Sequence, residues 1–330
     1  MQLVGSFSET DPKIRAGQVP AGLYARSVLS RGTRAELGPL AALLAVTAIW
    51  GSTFFLIKDL VTRIPVIDML AVRFTLAALA LALIAAPRLR LTRRLIGQGV
   101  GLGLLYGGAQ ILQTLGLAHT SASTSGFVTG LYVVATPLLA ALILKTRIGA
   151  TTWLAVLLAG FGLGVLSLHG FSIGFGELLT LAAAVVYAGH IVALSKISTR
   201  ATVLGLSFVQ LATIAVLCTG AALWPTAGSP TGIVLPDRPA DWLLVIYLGV
   251  LAGAVTMVLQ TWAQARVAPT RAAVIMAMEP VWAAGFAVAL GGESLTLRMI
   301  IGGLAILSAM YLVELAPRRR SRNQEQEYAA

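Results

Sequence analysis

The sequence predicts an all-α integral membrane protein of ten transmembrane helices, arranged as two five-helix repeats of inverted topology. Three observations predict this class. Of the 330 residues, 57% are hydrophobic and only 11% are charged, whereas a soluble globular domain carries about 25% charged residues. The apolar residues fall in stretches of about 20, the length that crosses the hydrocarbon core of a bilayer. Short sequences also recur at corresponding places in the two halves of the chain.

Ten apolar stretches are predicted to be spans. Residues 95–144 contain no Asp, Glu, Lys or Arg and are too long for one span, so we divide them at 118–125, where His119 and a Ser/Thr cluster predict a polar turn. The predicted spans are 39–58, 66–86, 96–117, 121–144, 151–169, 174–195, 202–224, 242–263, 270–290 and 296–315. Residues 1–38 lack the apolar core of a signal peptide and are expected to form a disordered cytoplasmic tail.

The distribution of lysine and arginine predicts the orientation, because these residues collect on the cytoplasmic side. With the N-terminus inside, 19 of the 24 basic residues lie in the two tails and the inner connections. The outer side holds Lys58, Arg63, Arg238 and Arg298, and Arg73 alone is left within a span. Both termini are therefore expected in the cytoplasm. The net charge of +11 is explained by topology beside anionic lipid, and no nucleic-acid partner is expected.

Two short matches indicate internal repeats. The tripeptide Leu-Gln-Thr at 112–114 recurs at 259–261, and Thr-Pro-Leu at 136–138 is matched by Glu-Pro-Val at 279–281. Two halves of five spans each must cross the bilayer in opposite directions, since an odd number of crossings reverses the entry side. Inverted repeats of this kind are typical of secondary transporters. The predicted repeats are 39–170 and 171–315, followed by a basic cytoplasmic tail at 316–330.

Five stretches along these spans carry a family resemblance. They are 48–54 (Ala-Ile-Trp-Gly-Ser-Thr-Phe), Arg73-Phe74, 121–137, 278–282 (Met-Glu-Pro-Val-Trp) and 291–295 (Gly-Gly-Glu-Ser-Leu). Together they resemble the EamA repeat of the drug/metabolite transporter superfamily. The resemblance implies a ten-helix carrier of the bacterial inner membrane that exports amino acids, related metabolites or toxic compounds. One departure is that 144–147 (Leu-Lys-Thr-Arg) stands where the family commonly carries Gly-Glu, as at Gly292-Glu293.

Two charged residues within the spans are the first candidates for the functional site. Glu279 lies near the middle of span 9, where an acidic group is costly and needs a cavity or a partner. It can carry a proton or bind a substrate amine, or it can form a structural bond between helices. Arg73 in span 2 can pair with Glu279 or hold a substrate carboxylate, or it can reach outward or pair with Asp68.

The remaining candidates are uncharged or weakly basic. His190 can relay protons or bond a neighbouring helix. The amides of Gln113 and Gln260 can bind a polar solute or join helices. Aromatic residues can line a pocket or pack in the bundle; the candidates are Trp50, Tyr106, Tyr132, Tyr187, Trp262 and Trp282. Pro137 and Pro280 are predicted to interrupt spans 4 and 9 and expose carbonyl oxygens, or simply to kink them.

The glycines that recur every four residues predict close helix packing. They are Gly99, Gly103 and Gly107 in span 3, Gly160 and Gly164 in span 5, and Gly249 and Gly253 in span 8. These faces would also allow a homodimer.

A secondary transporter of small solutes, working by alternating access and coupled to protons, is the favoured function. The alternative is a membrane-embedded enzyme acting on lipid or peptide substrates, for which the spacing of the three histidines shows no catalytic set. No cofactor and no metal are expected, because the chain has one cysteine and no Walker sequence.

Overall fold

The computed structural model of the chain describes residues 21–144, 148–169, 172–197, 202–224, 232–264 and 275–315. These residues are almost wholly helical. A 3₁₀ turn at Ala86–Arg88 follows α2, a π-helix at Tyr247–Val255 joins α9 to α10, and a two-residue antiparallel ladder pairs Leu168–His169 with Ser172–Ile173. The α-helices are Ala21–Leu60 (α1), Val66–Ala85 (α2), Arg93–His119 (α3), Ala122–Gly130 (α4), Tyr132–Leu144 (α5), Ala150–Ser167 (α6), Phe175–Ile197 (α7), Val203–Ala222 (α8), Pro239–Ile246 (α9), Thr256–Gln264 (α10), Glu279–Ala289 (α11) and Leu297–Leu315 (α12).

Seven helical segments in the described residues are long and apolar enough to cross a membrane. They are Leu37–Leu60, Val66–Arg88, Arg93–His119, Ala122–Ile143, Phe175–Leu194, Val203–Ala222 and Pro239–Gln260. Two shorter apolar helices, Ala150–Leu166 and Leu297–Val313, occupy the positions of predicted spans 5 and 10. The all-helical membrane class is therefore confirmed. The ninth predicted span, 270–290, is described only from residue 275 onward, so a ten-span count stays a prediction.

The first helix begins earlier than predicted. The prediction that residues 1–38 are disordered is wrong for 21–38, because α1 runs without interruption from Ala21 and contains Pro39. Hydropathy marks only the apolar part of a helix. A helix that is already nucleated extends at little cost through residues of good propensity, and alanine, leucine and arginine are frequent in 21–38. Residues 1–20 and the predicted tail at 316–330 lie outside the described residues.

The break in predicted span 4 does not lie at its proline, whereas the break in predicted span 9 lies directly before Pro280. Span 4 is broken at Leu131, between α4 and α5, and Pro137 lies inside the continuous helix α5. In span 9 the turn is at 277–278, and Pro280 stands in the first turn of α11. Proline is tolerated in a first helical turn because its missing N–H has no partner there anyway. Residues 275–276 before that turn are helical, and proline cannot bond the carbonyl four residues earlier, so the interruption of span 9 lies directly before Pro280, as its chemistry predicts.

The two breaks meet at a close contact between α4 and α11. A Cβ atom added at Gly130 would lie 2.8 Å from Cγ of Pro280, and one added at Gly126 would lie 2.6 Å from Cβ of Ala283. Only glycine allows the two backbones to approach so closely. The break at Leu131 is therefore associated with tertiary packing rather than with a local proline.

Contacts between the first half (α1–α6) and the second half (α7–α12) follow an exchange pattern. We take α1, α2, α3, α4–α5 and α6 as counterparts of α7, α8, α9–α10, α11 and α12. Contacts of α3 with α7 and α8 then correspond to contacts of α9–α10 with α1 and α2, and contacts of α4–α5 with α7 correspond to that of α11 with α1. In the contacts of α2 with α8, α4 with α11 and α6 with α12, each helix contacts its own counterpart, so exchanging the halves leaves these contacts the same. The packing is thus nearly unchanged when the halves are exchanged.

The predicted glycine faces are observed at two interfaces and corrected at a third. Gly99, Gly103 and Gly107 pack against Val209, Thr213 and Ile214 of α8, and Gly249 and Gly253 pack against α2. Gly160 is exposed and has no atom within 4 Å of a built Cβ, whereas Gly162 contacts Gly302 and Ile306 of α12. The four-residue spacing correctly identified α6 as a glycine-rich helix, but the glycine that packs against α12 is Gly162 and not Gly160.

Polar contacts tie the helices together at the end of the bundle where α1 ends and α2 begins, which we call the α1–α2 end. Arg63 contacts the carboxylates of Asp59 and Asp241 at 2.6 and 2.7 Å. Hydrogen bonds to Asp59 and then to Asp241 raise the pKa of the Arg63 guanidinium, so this group stays charged. Asp241 is buried, and Arg63 therefore supplies the charge that burial requires.

Two further contacts at the α1–α2 end join helix termini. Lys58 Nζ donates to the carbonyls of Leu117 and Ala118, both at 3.0 Å, at the C-terminal turn of α3. The Glu293 carboxylate accepts from the N–H groups of Ala122, at 2.6 Å, and Ser123, and from the Ser123 hydroxyl. A cation at a helix C-terminus and an anion at a helix N-terminus both complement the helix dipole.

Candidate functional site

A cavity of about 170 Å³ lies between the two halves of the bundle. It has room for roughly a dozen water-sized groups, because one water needs about 10–15 Å³ in this measure. Helices α1, α2, α3, α4, α5, α7, α10 and α11 contribute side chains to its wall. The lining residues are Trp50, Thr53, Phe54, Ile57, Arg73, Tyr106, Gln110, Gln113, Thr114, Leu117, Thr129, Tyr132, Tyr187, His190, Ile191, Leu194, Met257, Gln260, Met276 and Glu279.

Most of the lining residues occur in pairs at constant sequence separation. Four residues of α1 have counterparts on α7 that lie 137 positions later, and four residues of α3, α4 and α5 have counterparts 147 positions later. Sixteen of the twenty lining residues therefore form eight pairs, one member from each half. The pairs are Trp50 with Tyr187, Thr53 with His190, Phe54 with Ile191, Ile57 with Leu194, Gln110 with Met257, Gln113 with Gln260, Thr129 with Met276, and Tyr132 with Glu279.

Arg73 is the buried cation of the cavity. It is 5% exposed, and its Nε atom has no hydrogen-bond partner. No carboxylate oxygen of the described residues lies within 4.0 Å of it. Asp68, which the sequence offered as a partner, instead accepts the N–H of Val234 at 2.9 Å. An unpaired buried charge is costly, so the geometry leaves Arg73 available to an anionic or oxygen-bearing solute.

The contacts of Arg73 lead to the aromatic side of the cavity. Its guanidinium carbon lies 5.1 Å from the ring centre of Phe74, and that ring meets Tyr106 edge-on at 6.4 Å. Tyr106 stacks on His190 at 5.3 Å and contacts Tyr187 at 5.8 Å. A guanidinium near an aromatic face is partly stabilised there, which helps to hold the charge inside the bundle.

Glu279 is the first residue of α11 and lines the cavity beside the break in span 9. None of the described cations lies within 4.0 Å of its carboxylate. The predicted pairing of Arg73 with Glu279 is therefore absent from this conformation. Both charged groups line one cavity without neutralising each other, and this arrangement suits a solute that carries both signs of charge.

Gln113 is held by hydrogen bonds on both sides of its amide. Its Nε2 donates to the Thr129 hydroxyl at 3.0 Å, and its Oε1 accepts from the Tyr187 hydroxyl at 2.9 Å. One turn earlier, Gln110 donates to the Tyr106 hydroxyl at 3.1 Å. The amide thus joins α3 to α4 and α7, as one of the two sequence interpretations predicted.

Gln260, the counterpart of Gln113, is held much more weakly. Among the described residues its amide contacts the Met276 sulfur at 3.6 Å, and a thioether is a poor acceptor. Gln113 and Gln260 therefore occupy matched positions, but Gln113 makes two hydrogen bonds within the protein and Gln260 makes one weak contact. Most of the hydrogen-bonding capacity of Gln260 remains available to a bound solute.

His190 and Trp50 each bond a neighbouring helix. His190 Nε2 lies 2.7 Å from Oε1 of Gln210 on α8, and the histidine is buried. Trp50 donates its indole N–H to the Ala252 carbonyl at 3.1 Å and to the Thr256 hydroxyl at 3.0 Å. Both rings still face the cavity, so each combines an interhelical bond with a lining role.

The structure brings nine of the eleven side-chain candidates into one cavity. The exceptions are Trp262, which is 40% exposed on α10, and Trp282 on α11. Pro137 and Pro280 do not line the cavity either. The candidates did not include the polar lining residues Thr53, Gln110, Thr114 and Thr129. Helical spacing was the available signal, because Gln110 lies three residues from Gln113 and four residues from Thr114.

The part of the chain that the structure describes contains no group of three His, Cys, Asp or Glu side chains that could hold a metal ion. The lining side chains of the cavity offer hydrogen bonding, charge and aromatic packing. These are the means by which a site binds and releases a small solute.

A helical membrane bundle with a solute-sized cavity of mixed polar and apolar lining between its halves has the architecture of a membrane transporter. The EamA-like transporter family model matches the chain twice, over residues 37–168 and 174–315. The chain therefore belongs to the EamA-like transporter family, which confirms the resemblance noted in its sequence. The offsets between the starts and between the ends of the two matches are 137 and 147 residues, the separations of the cavity pairs.

One relative supports the family assignment, and one solved structure supports the fold. An uncharacterized transporter from Archaeoglobus fulgidus is 31% identical over 282 residues, which cover 85% of this chain and 86% of the relative. One solved crystal structure is similar with a TM-score of 0.61 at 19% identity, over 87% of this chain and 98% of that chain. At that identity the second similarity supports the fold alone.

Proposed function

We propose that the protein is a secondary transporter of the bacterial cytoplasmic membrane that exports small zwitterionic or amphipathic metabolites, such as amino acids, by alternating access. The observation that carries this proposal is the paired lining of the cavity, in which each half supplies the counterpart of what the other half supplies. A binding site shared by two like halves can stay at the middle of the bundle while the halves rock around it.

Inverted topology follows if each half crosses the membrane five times. The proposed spans in the first half are α1, α2, α3, α4–α5 and α6, and those in the second are α7, α8, α9–α10, predicted span 9 and α12. The exchange pattern of helix contacts supports this assignment, because a two-fold axis in the membrane plane would produce it. The proposed repeats are 39–170 and 171–315.

The orientation places the α1–α2 end outside and both termini in the cytoplasm, as the basic residues predict. Single cysteines test it, and the buried Cys218 can first be replaced by alanine. Asp237→Cys and Arg90→Cys put one thiol at each of two exposed positions. In right-side-out vesicles an impermeant maleimide should label position 237 and spare position 90. Labelling of position 90 alone would show that the orientation is opposite to the one proposed.

The proposed solute carries a carboxylate and an amine. Arg73, buried and unpaired, would hold the carboxylate, and Gln110 and Gln260 would supply hydrogen bonds. Glu279 has no ion-pair partner among the described residues and would bind the amine or the coupling proton. A polyanion would meet a single cation in this cavity and is not favoured.

Coupling to protons is assigned to Glu279, and flux measurements in proteoliposomes test the transport proposal. Purified protein is reconstituted and the uptake of labelled amino acids and toxic cations is followed with and without a pH gradient. We expect a gradient to drive uptake by the natural protein. Glu279→Gln should remove the effect of the gradient, and Gln260→Ala should weaken flux of the same solute.

The matched control is Tyr132→Phe, which alters the counterpart of Glu279 without removing a charge. It should keep the response to the gradient. Solute counterflow, which needs no net proton movement, separates the two roles of Glu279, since a purely coupling residue leaves counterflow intact and an amine-binding residue does not. Full gradient-driven flux in Glu279→Gln would refute the coupling, and absence of flux for every solute would refute the transport proposal.

A further inference from the structure

The two halves contribute chemically different walls to the cavity at matched positions. On the first wall, the α3 wall, stand Gln110, Gln113 and Thr129. Their counterparts 147 positions later form the α10 wall. That wall consists of Met257, Gln260 and Met276. The central glutamine is the same on both walls, and its two neighbours change from an amide and a hydroxyl to two thioethers.

This difference favours one orientation in the cavity for any solute that has a polar and an apolar part. A polar group placed against two thioethers loses its hydrogen bonds to water without replacement. An apolar group placed against Gln110 displaces water from that amide without replacing its hydrogen bonds, which is costly. Methionine side chains are polarisable and adaptable, so they pack well against apolar groups of various shapes.

The buried charge lies on the same side as the α3 wall. The Arg73 guanidinium rests near Phe74, Phe74 contacts Tyr106, and Gln110 donates to the Tyr106 hydroxyl. The counterpart of Arg73, 137 positions later, is Gln210, which bonds His190 and the Leu206 carbonyl and does not line the cavity. A carboxylate held by Arg73 would therefore lie beside Tyr106 and Gln110 of the α3 wall.

We propose that Met257 and Met276 are specificity-determining residues that hold the apolar end of the solute while its polar head lies on the α3 wall. The inference rests on the proposed transport function and adds the kind of solute selected. The cavity volume of about 170 Å³ suits a small solute. An amino acid with an aliphatic or aromatic side chain meets both requirements.

Leucine and asparagine are the probes of choice, because they share the head group and a branched side chain of equal atom number and differ in polarity. Uptake of each at low concentration into proteoliposomes gives a preference ratio. The natural protein should prefer leucine. Met257→Gln and Met276→Thr each install the residue found at the matched position of the other half, and each should lower the preference at least about tenfold.

Two control variants separate specificity from loss of folding. Met257→Leu keeps an apolar side chain of similar volume and should keep the preference for leucine. Gln110→Met should weaken uptake of both probes and leave their ratio unchanged, because the head group is common to them. Since the measured quantity is a ratio, a smaller amount of folded protein lowers both fluxes together and does not move it.

A ratio within about twofold of the natural value in both Met257→Gln and Met276→Thr would overturn the inference and leave the transport proposal standing. Uptake of neither probe by the natural protein would overturn the inference together with the zwitterionic substrate class. A natural preference for asparagine would overturn the inference alone.

Discussion

Glu279 and Tyr132 occupy the same position in the two halves of the bundle. Each is the first residue of a helix that follows a break, each lines the cavity, and they are 147 positions apart. The short sequence match had placed Glu279 opposite Thr136, four residues further along. The second half therefore has the carboxyl group of Glu279 at the position where the first half has the phenol of Tyr132. At this position only the second half supplies an acidic group to the cavity.

Arg73→Met is predicted to stabilise the fold and to impair transport. Removing a buried guanidinium that has no ion-pair partner among the described residues should raise the free energy of unfolding by about 1 kcal/mol or more. Loss of a charge-assisted bond to the solute should weaken its binding by roughly tenfold to a hundredfold. Thermal unfolding in detergent and solute flux measure the two effects.

Arg63→Met is the matched control for that variant, because it removes an arginine that has partners. It leaves the buried carboxylate of Asp241 without its cation and should cost about 3 kcal/mol of stability. Equal effects of the two variants on thermal stability would contradict the difference in pairing on which both predictions depend.

Gln113→Ala and Gln260→Ala should separate stability from binding. Gln113 joins Thr129 and Tyr187, so its loss should lower stability by about 1 kcal/mol. Gln260 makes one weak contact among the described residues, so its replacement should leave thermal unfolding nearly unchanged while solute flux falls. A larger loss of stability in Gln260→Ala than in Gln113→Ala would be inconsistent with this assignment.

Gly249→Ala should displace Arg73 without touching the cavity directly. A Cβ atom at position 249 would lie 2.7 Å from the Arg73 carbonyl oxygen, so α2 must move away. We expect a loss of about 1–3 kcal/mol in stability and a weaker apparent affinity for the solute. Gly101→Ala is the control, because no atom lies within 4 Å of its built Cβ and alanine favours helix there by up to about 1 kcal/mol.

Glu293→Gln should loosen the α1–α2 end. The carboxylate accepts from two backbone N–H groups at the start of α4, and a neutral amide loses both the charge and one acceptor oxygen. The expected cost is about 1–2 kcal/mol, measured by thermal unfolding. Asp237→Asn removes an exposed acidic residue and should have no measurable effect. A similar loss in both variants would point to net charge rather than to the bond.

The sequence was sufficient for the positions of most spans and for much of the cavity. Hydropathy and charge placed most of the predicted spans within about three residues of the observed helices, because the bilayer fixes the length and polarity of a crossing segment. Glu279, Arg73 and the matched glutamines were identifiable because polar groups within spans are costly and few. These are properties of single residues, and they can be read without knowing the fold.

The breaks and the pairing required the structure. Pro137 suggested a break by its chemistry, but the chain breaks at Leu131, where Gly130 packs against Pro280 of the other half. The two short matches in the sequence, at 112–114 and at 136–138, imply offsets of 147 and 143, and only the packing showed which offset applies at the cavity. Contacts between residues 150 positions apart leave no local signal in a single sequence.

The constant spacing of the lining residues gives this chain an internal alignment of two diverged copies of one ancestral repeat. Within it, Gln113 and Gln260 are the one lining pair that is still identical, while Trp50 and Tyr187 have kept an aromatic ring and Ile57 and Leu194 have kept an aliphatic side chain. A substitution in one copy changes half of the cavity and leaves the other half as it was. Because the walls come from different halves, the residues of one wall can change by substitution while those of the other wall stay the same.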